Sequence, residues 1–333
     1  MSSKGPIDLS SIPAPTVVEA LDFETIYQSM RDDLLALDPT LADTLALESE
    51  PITKQLQVCA YRELLIRQRV NEAAKAVMMA YALDGDLDNL AVFFKTKRLV
   101  IDPGDDSAIP PIAPTYENDD DFRARIQLAL DGFSTAGPER AYIYHALSAS
   151  GDVLDASADA PEFSLATLTP ELQAQLPPNV IVLQVDYDAG LSNPMPGDVV
   201  INVLARGGNG VASPELINTV NNALSADDIR PLTDHVHTRG AEIISYVIDA
   251  KLFTFSGPDS AVVLQQARSN LERYTESMRR LGRDITLSGI YAQLHVAGVQ
   301  RVELISPTAN IVCDSAQAAH CESISIVHAG IAA

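Results

Sequence analysis

The 333-residue chain contains 47% hydrophobic and 20% charged residues and has a net charge of −22. This composition excludes a globally disordered chain, and the length predicts two or three packed units. The negative charge is concentrated in residues 101–238, which contain 21 acidic and 5 basic residues. Because nucleic acids and anionic membranes are bound through Lys and Arg, we expect neither as a partner. The acidic run is a solvated surface or, alternatively, a surface that docks onto a basic partner.

The amino terminus has no apolar stretch of signal-peptide length, and no run of about 18 apolar residues occurs in the sequence. We therefore expect a protein that is cytoplasmic when it is made. Cys59, Cys313 and Cys321 form an odd set without a C-x-x-C pair. This pattern predicts no disulfide bond.

Residues 1–100 are predicted to be a helical region, with a short helix around Leu21–Leu37. Thr53–Leu83 contains neither Gly nor Pro, and Asp84-Gly85 follows as a stop signal. The segment predicts one helix roughly 45 Å long, which suits a rod that spans or assembles. Apolar and small residues recur on one face of this helix at alternating steps of four and three. This row, here called the seam, either packs within its own domain or contacts helices of neighbouring chains; it comprises Ile66, Val70, Ala73, Val77 and Ala80.

A proline-rich stretch between Leu99 and Tyr116 predicts the first domain boundary, so that residues 101–178 form a helical and mixed middle region. Residues 179–333 alternate strands with helices, which predicts an α+β fold with small sheets covered by helices. The elements predicted after the boundary are helices at Asp119–Leu130, Pro138–Ala149, Ser213–Leu224, 256–281 and Ser288–Val296, and strands at Val153–Ala156, Val180–Tyr187, Val199–Leu204, Ala241–Phe255 and Val299–Ile305.

Two short motifs imitate ligand-binding loops. Asp84, Asp86 and Asp88 alternate as in a calcium loop, but Asn89 and Lys95 occupy the positions that need Gly and Glu. We therefore interpret them as a solvated helix end.

The second motif, Gly208-Asn209-Gly210 with Ser213, resembles a phosphate-binding glycine fingerprint but lacks its third small residue. A tight turn is the favoured interpretation.

Histidine and cysteine side chains offer an alternative function. His235 and His237 fall on the same side of a strand, and Cys313 is close in sequence to His320 and Cys321. Neither group provides four zinc ligands at a familiar spacing. A metal-dependent enzyme remains an alternative to a structural protein, for which we expect no catalytic residue, no cofactor and no metal.

Three groups of short motifs occur in order between Glu48 and Pro307. The first is E-S-E-P at 48–51 with Y-R-E, N-E-A, A-Y-A and D-L-D-N-L. The second is D-F-R-A-R-I at 121–126 with T-A-G and A-Y, and the third is R-P-L-T-D at 230–234. This order and spacing resemble the baseplate J-like family of contractile-tailed phages and related injection devices. The motif residues are Glu50, Pro51, Tyr61, Arg62, Asn71, Asp88, Arg123, Gly137, Arg230 and Pro231.

The resemblance implies a structural wedge subunit of a contractile-tail baseplate, as in phages, R-type bacteriocins and related systems. It implies homodimer-like pairing within a wedge and a smaller partner related to tail protein I. Such wedges are expected to form a six-fold ring around the hub and spike. A contact with a sheath-initiating protein similar to baseplate protein W would then transmit the trigger for sheath contraction.

The resemblance also implies a location in the baseplate of a virion or tail-like particle, after assembly in the bacterial cytoplasm. A receptor-binding tail component is a further alternative, although such proteins are usually β-rich and repetitive. The segment after Pro307 has no assigned counterpart in the family.

Overall fold

The computed structural model describes residues 9, 12, 13, 15, 17–133, 137–256 and 259–331. The chain has the predicted α+β fold. It divides into two compact units. Unit 1 comprises the residues up to Arg98 and Asn118–Gln127, and unit 2 comprises Leu99–Glu117 and the residues from Leu128 onwards. The division into regions 1–100, 101–178 and 179–333 remains a prediction. The motif positions 135 and 136 and the predicted helix start at 257–258 lie outside the described residues.

Ten α-helices are assigned within the described residues. In chain order they are α1 (Phe23–Leu37), α2 (Ala42–Leu45), α3 (Pro51–Ala76), α4 (Asp84–Ala91), α5 (Asp119–Leu128), α6 (Glu139–Ala149), α7 (Pro170–Gln173), α8 (Pro214–Leu224), α9 (Ser260–Met278) and α10 (Leu287–Leu294).

Ten β-strands are assigned within the same residues. They are β1 (Val100–Asp102), β2 (Thr115–Tyr116), β3 (Val153–Asp159), β4 (Glu162–Leu165), β5 (Leu183–Tyr187), β6 (Asp198–Ala205), β7 (His235–Gly240), β8 (Glu242–Thr254), β9 (Val299–Ser306) and β10 (Gln317–Ile331).

Helix α3 is the longest helix of unit 1, with 26 residues and a length of about 39 Å. It begins with Pro51 at its first position, where the missing N–H group of proline has no cost. One face packs against α1 and buries Thr53, Ala60 and Asn71. The helix ends at Ala76, seven residues before the predicted Leu83.

A buried arginine explains this early end. Arg123 on α5 donates from Nε to the Met79 carbonyl at 2.8 Å and from Nη2 to the Ala82 carbonyl at 2.7 Å. These carbonyl groups are therefore satisfied outside a helix, and the chain turns after Ala76. The predicted stop at Asp84 is also wrong, because Asp84 is the first residue of α4. Its N–H group donates to the Asp119 carboxylate at 3.0 Å.

The first three-stranded sheet of unit 2 has the order β3-β6-β7. β3 is antiparallel to β6, whereas β7 is parallel to β6 and follows it through α8. Ser213 caps α8 as predicted and accepts a hydrogen bond from the Leu216 N–H group. The core between the sheet and helices α6 and α8 includes Ile201, Val203 and Val220.

The second sheet has the order β10-β8-β9. Alternate residues of β8, including Ile248, Ala250 and Leu252, are buried against α9 and α10. β10 was not predicted, yet it runs parallel to β8 along its whole length. Helices therefore cover one face of this sheet.

The two three-stranded sheets of unit 2 are joined by a single residue, Ala241, between β7 and β8. Asp155 on β3 accepts a hydrogen bond from the Leu281 N–H group at 2.9 Å. Arg279 donates to the Gly208 carbonyl at 3.0 Å, within the glycine-rich turn that connects β6 to α8. The turn closes with a hydrogen bond from the Gly210 N–H group to the Gly207 carbonyl, which confirms the predicted tight turn.

Replacing Arg123 by Ala is expected to lower the free energy of unfolding by about 2–3 kcal/mol, because it leaves buried carbonyl groups without donors. Denaturant unfolding followed by circular dichroism measures the change. Arg69 is exposed on α3, and Arg69→Ala serves as the matched control with an expected change within about 0.5 kcal/mol. Equal loss of stability in both variants would contradict the role of Arg123.

Candidate assembly site on the amino-terminal helices

The seam of α3 is exposed to solvent in unit 1. Ile66, Val70 and Val77 are 65%, 54% and 70% exposed, and Ala73 is also exposed. Val77 is the first residue after the end of the helix, and Ala80, which is half-buried, lies three residues further on. Ile66, Val70 and Val77 are therefore accessible on the surface of unit 1. Contact of the seam with another chain remains a prediction.

The position of the seam follows from helix geometry. At about 100° per residue, the seam lies roughly a third of a turn away from the face that contains Thr53, Ala60 and Asn71. That face is occupied by α1. One helix cannot cover both faces, so the seam stays in solvent.

Asn71 holds the segment before α1 against α3. Its side-chain oxygen accepts a hydrogen bond from the Glu19 N–H group at 3.0 Å, and its amide nitrogen donates to the Glu19 carbonyl at 2.9 Å. Arg67 on α3 adds an ion pair with the Glu19 carboxylate at 3.0 Å. The family-motif residue Asn71 is thus an internal support and is buried.

A second support is an ion-pair network around Arg98. Its guanidinium group pairs with Asp88 on α4 at 2.8 Å and with Asp119 on α5 at 2.6 Å. It also lies over the Phe122 ring, with Cζ 4.7 Å from the ring centroid. Burial opposes ionisation of Asp119, but the Asp84 N–H group and Arg98 outweigh it and hold the pKa of Asp119 below its usual value. The motif residue Asp88 therefore joins α4 to the segment after it.

The remaining motif residues of α3 lie at its start or on its surface. Glu50 is the extended residue before the helix, and Pro51 is its first residue. Tyr61 and Arg62 are exposed on α3. The motif therefore combines internal supports with surface residues.

In unit 2, two motif stretches come together. Gly137 has φ +40°, and a Cβ atom there would lie 3.1 Å from both Pro231 Cγ and Asp234 Oδ2. Tyr142 donates its hydroxyl hydrogen to the Asp234 carboxylate at 2.7 Å, and Arg230 donates to the Asp234 carbonyl at 2.8 Å. Burial, followed by the Asp234 interaction, raises the pKa of Tyr142.

The histidines of β7 are both near one carboxylate. The His237 Nε2 atom is 3.0 Å and the His235 Nδ1 atom 3.7 Å from Asp198 Oδ1. Cys313 is buried, and burial raises its pKa. The described part of the chain brings no three His, Cys, Asp or Glu side chains into an arrangement that holds a metal ion. Among the described helices, none is long and apolar enough to cross a bilayer.

Sequence reasoning missed a second exposed row on α3 that comprises Val58, Tyr61 and Leu65. Its spacing of three and four was visible in the sequence. It also missed Glu19, Arg98 and Asp119 as supports, because no local pattern links them to their distant partners.

Comparison with known proteins identifies the family. The Baseplate J-like N-terminal domain matches residues 48–105, which include α3 and α4. The Baseplate J-like protein C-terminal domain matches residues 246–327, which include α9 and α10. The chain is 45% identical over 329 residues to Baseplate protein J of Escherichia phage P2, covering 97% of this chain and 98% of that protein.

The chain therefore belongs to the baseplate J-like family, which confirms the resemblance carried by the motifs. This relationship makes it a structural component of a phage baseplate.

Replacing Asp119 by Asn is expected to lower the free energy of unfolding at pH 7 by about 1–2 kcal/mol. Because the pKa of Asp119 is lowered in the folded protein, its contribution is present above its ordinary value of 3.8 and is lost as the pH falls further. Urea unfolding between pH 7 and pH 3 should show the difference from the parent shrinking. Asp33→Asn, at an exposed site, is the control. A difference that is independent of pH would contradict the ion-pair network.

Proposed function

We propose that the chain is a non-catalytic wedge subunit of a contractile-tail baseplate. The observation that carries this proposal is the exposed apolar seam on α3, in a chain that belongs to the baseplate J-like family. A long helix with one uncovered apolar row is suited to a helical bundle formed by several chains. The role is therefore assembly through α3.

The chemistry of the seam defines the kind of surface that covers it. Ile66, Val70 and Val77 are stiff or branched apolar side chains, and burying each of them contributes about 1.5–3 kcal/mol at most. Ala73 lies between them and permits the close approach of another helix. The partner surface is accordingly an apolar helical face that packs at a shallow crossing angle.

The proposed partners are those that the family resemblance implies. They are a second copy of the chain within a wedge and a smaller protein related to tail protein I. Wedges join into a six-fold ring around the hub and spike, with unit 2 bridging adjacent wedges. The similarity to Baseplate protein J of phage P2 along almost the whole chain supports this proposal.

The ring also contacts a sheath-initiating protein similar to baseplate protein W, and its rearrangement transmits the trigger for sheath contraction. The protein is made in the bacterial cytoplasm and ends in the baseplate of a virion or a headless particle such as an R-type bacteriocin.

Replacing both Val70 and Val77 by Asp is expected to weaken the complex with the smaller wedge partner by at least about 100-fold. Each substitution places an unpaired carboxylate in an apolar interface, and 1.4 kcal/mol corresponds to about tenfold in affinity. Co-expression of the two proteins, followed by mass measurement of the purified product, tests the expectation.

The matched control is Val262→Asp, since Val262 is 65% exposed on α9 and lies outside the seam. It should leave the complex intact. The seam variant should keep the circular dichroism spectrum of the parent, because its substituted side chains are exposed. A seam variant that forms the complex as the parent does would overturn the proposed contact.

A further inference from the structure

Residues 160–197, here called the arm, form an excursion from the first sheet of unit 2. β3 and β6 pair directly as antiparallel neighbours, with Asp159 opposite Val200. Neighbouring antiparallel strands need a connection of only a few residues. The chain instead inserts 38 residues that contain β4, α7 and β5. The sheet itself does not require the arm.

The arm has almost no core of its own. Ala189 is its only buried residue, and the arm is described completely. β4 and β5 form an isolated two-stranded sheet, an arrangement that is marginally stable without cover. Several large apolar side chains lie exposed along the arm; they are Leu165, Leu172, Val180, Ile181, Leu183 and Val185. These side chains are exposed on unit 2.

The charge of the arm restricts what can cover it. The arm contains four carboxylates and no Lys, Arg or His; they are Glu162, Glu171, Asp186 and Asp188. Two arms placed edge to edge would bring like charges together, which is unfavourable. The complementary surface is apolar and carries basic side chains.

Helix α3 carries such a surface. Its sequence contains five Lys or Arg and two Glu residues, in contrast to the net negative charge of the chain. Val58, Tyr61 and Leu65 form an exposed apolar row, and Arg62 and Arg69 lie exposed beside it. A shallow cavity of about 520 Å³ continues this row; Leu65 and Arg69 line it together with Glu72, Asp86 and the seam residue Ala73. The row itself shares no residue with the seam.

We propose that the arm of one copy docks onto the Val58, Tyr61 and Leu65 row of α3 in a second copy, with Arg62 and Arg69 paired to the arm carboxylates. The contact joins two different surfaces, and a heterologous contact of this kind extends into a ring or a filament. It thereby specifies how copies meet within the assembly, and it rests on the assembly role proposed above.

The test uses charge reversal in the full-length chain. One variant carries Glu162→Lys, Asp186→Lys and Asp188→Lys on the arm, and another carries Arg62→Glu and Arg69→Glu on α3. Each alone should weaken self-association by at least about tenfold, whereas the chain that carries all five substitutions should recover it. Sedimentation velocity over a range of protein concentrations measures the association.

Two controls accompany the test. Asp227→Lys, Asp228→Lys and Glu322→Lys change the charge equally at exposed sites outside the arm and should leave association intact. Association of the parent should also weaken between about 50 mM and 500 mM salt, because exposed charges are screened. The proposal would be overturned by a monomeric parent. It would also be overturned if the chain with all five substitutions did not recover self-association.

The outcome is distinguishable from failure of the proposed wedge role. Val70→Asp with Val77→Asp removes the complex with the smaller partner. It does not change the recovery of self-association in the chain that carries all five charge-reversal substitutions. If that seam variant keeps the complex while recovery is observed, the seam is wrong and the arm contact stands. If the seam variant loses the complex with the smaller partner and the five substitutions do not recover self-association, the arm contact is wrong and the seam stands.

Discussion

A helix of 26 residues buries only one face when a single helix packs along it, and this limits how much of α3 is buried in unit 1. One face of α3 packs against α1. The faces that contain Ile66 and Val70 and, separately, Val58 and Leu65 are left in water. Exposed apolar area costs about 25 cal/mol per Å², so covering these rows is a source of free energy for association. The isolated chain leaves these apolar rows without cover, and this is the physical basis of the assembly role proposed for α3.

The elements that were predicted correctly carry their signals within a short window. β6 and β8 contain apolar runs, and Ser213 and Pro214 predict the start of α8. β10 was not predicted because its first half lacks the alternation of buried and exposed residues that is typical of a strand. The end of α3 was missed for a different reason. Residues 77–83 contain no Gly or Pro that would break a helix. The carbonyl groups of Met79 and Ala82 instead accept hydrogen bonds from Arg123.

The candidate site was predictable in part. Periodicity places Ile66, Val70 and Val77 on one face, but it cannot tell whether that face is covered, since coverage depends on where α1 packs. The family motif mixes two kinds of residue that the sequence does not separate. Asn71 and Arg123 are buried and donate hydrogen bonds to backbone carbonyl groups, whereas Tyr61 is exposed.

The uneven charge of the chain gains a physical meaning from this arrangement. A uniformly acidic protein repels its own copies, and close assembly then depends on apolar area alone. Here the acidic arm and the basic helix α3 are opposite in charge, although both expose apolar side chains. In the proposed contact, opposite charge would speed the encounter of two copies and select their orientation, while the apolar rows would supply most of the affinity. Because like surfaces repel, the proposed contact is between unlike surfaces, and such a contact gives a ring where its rotation closes and a filament where it does not.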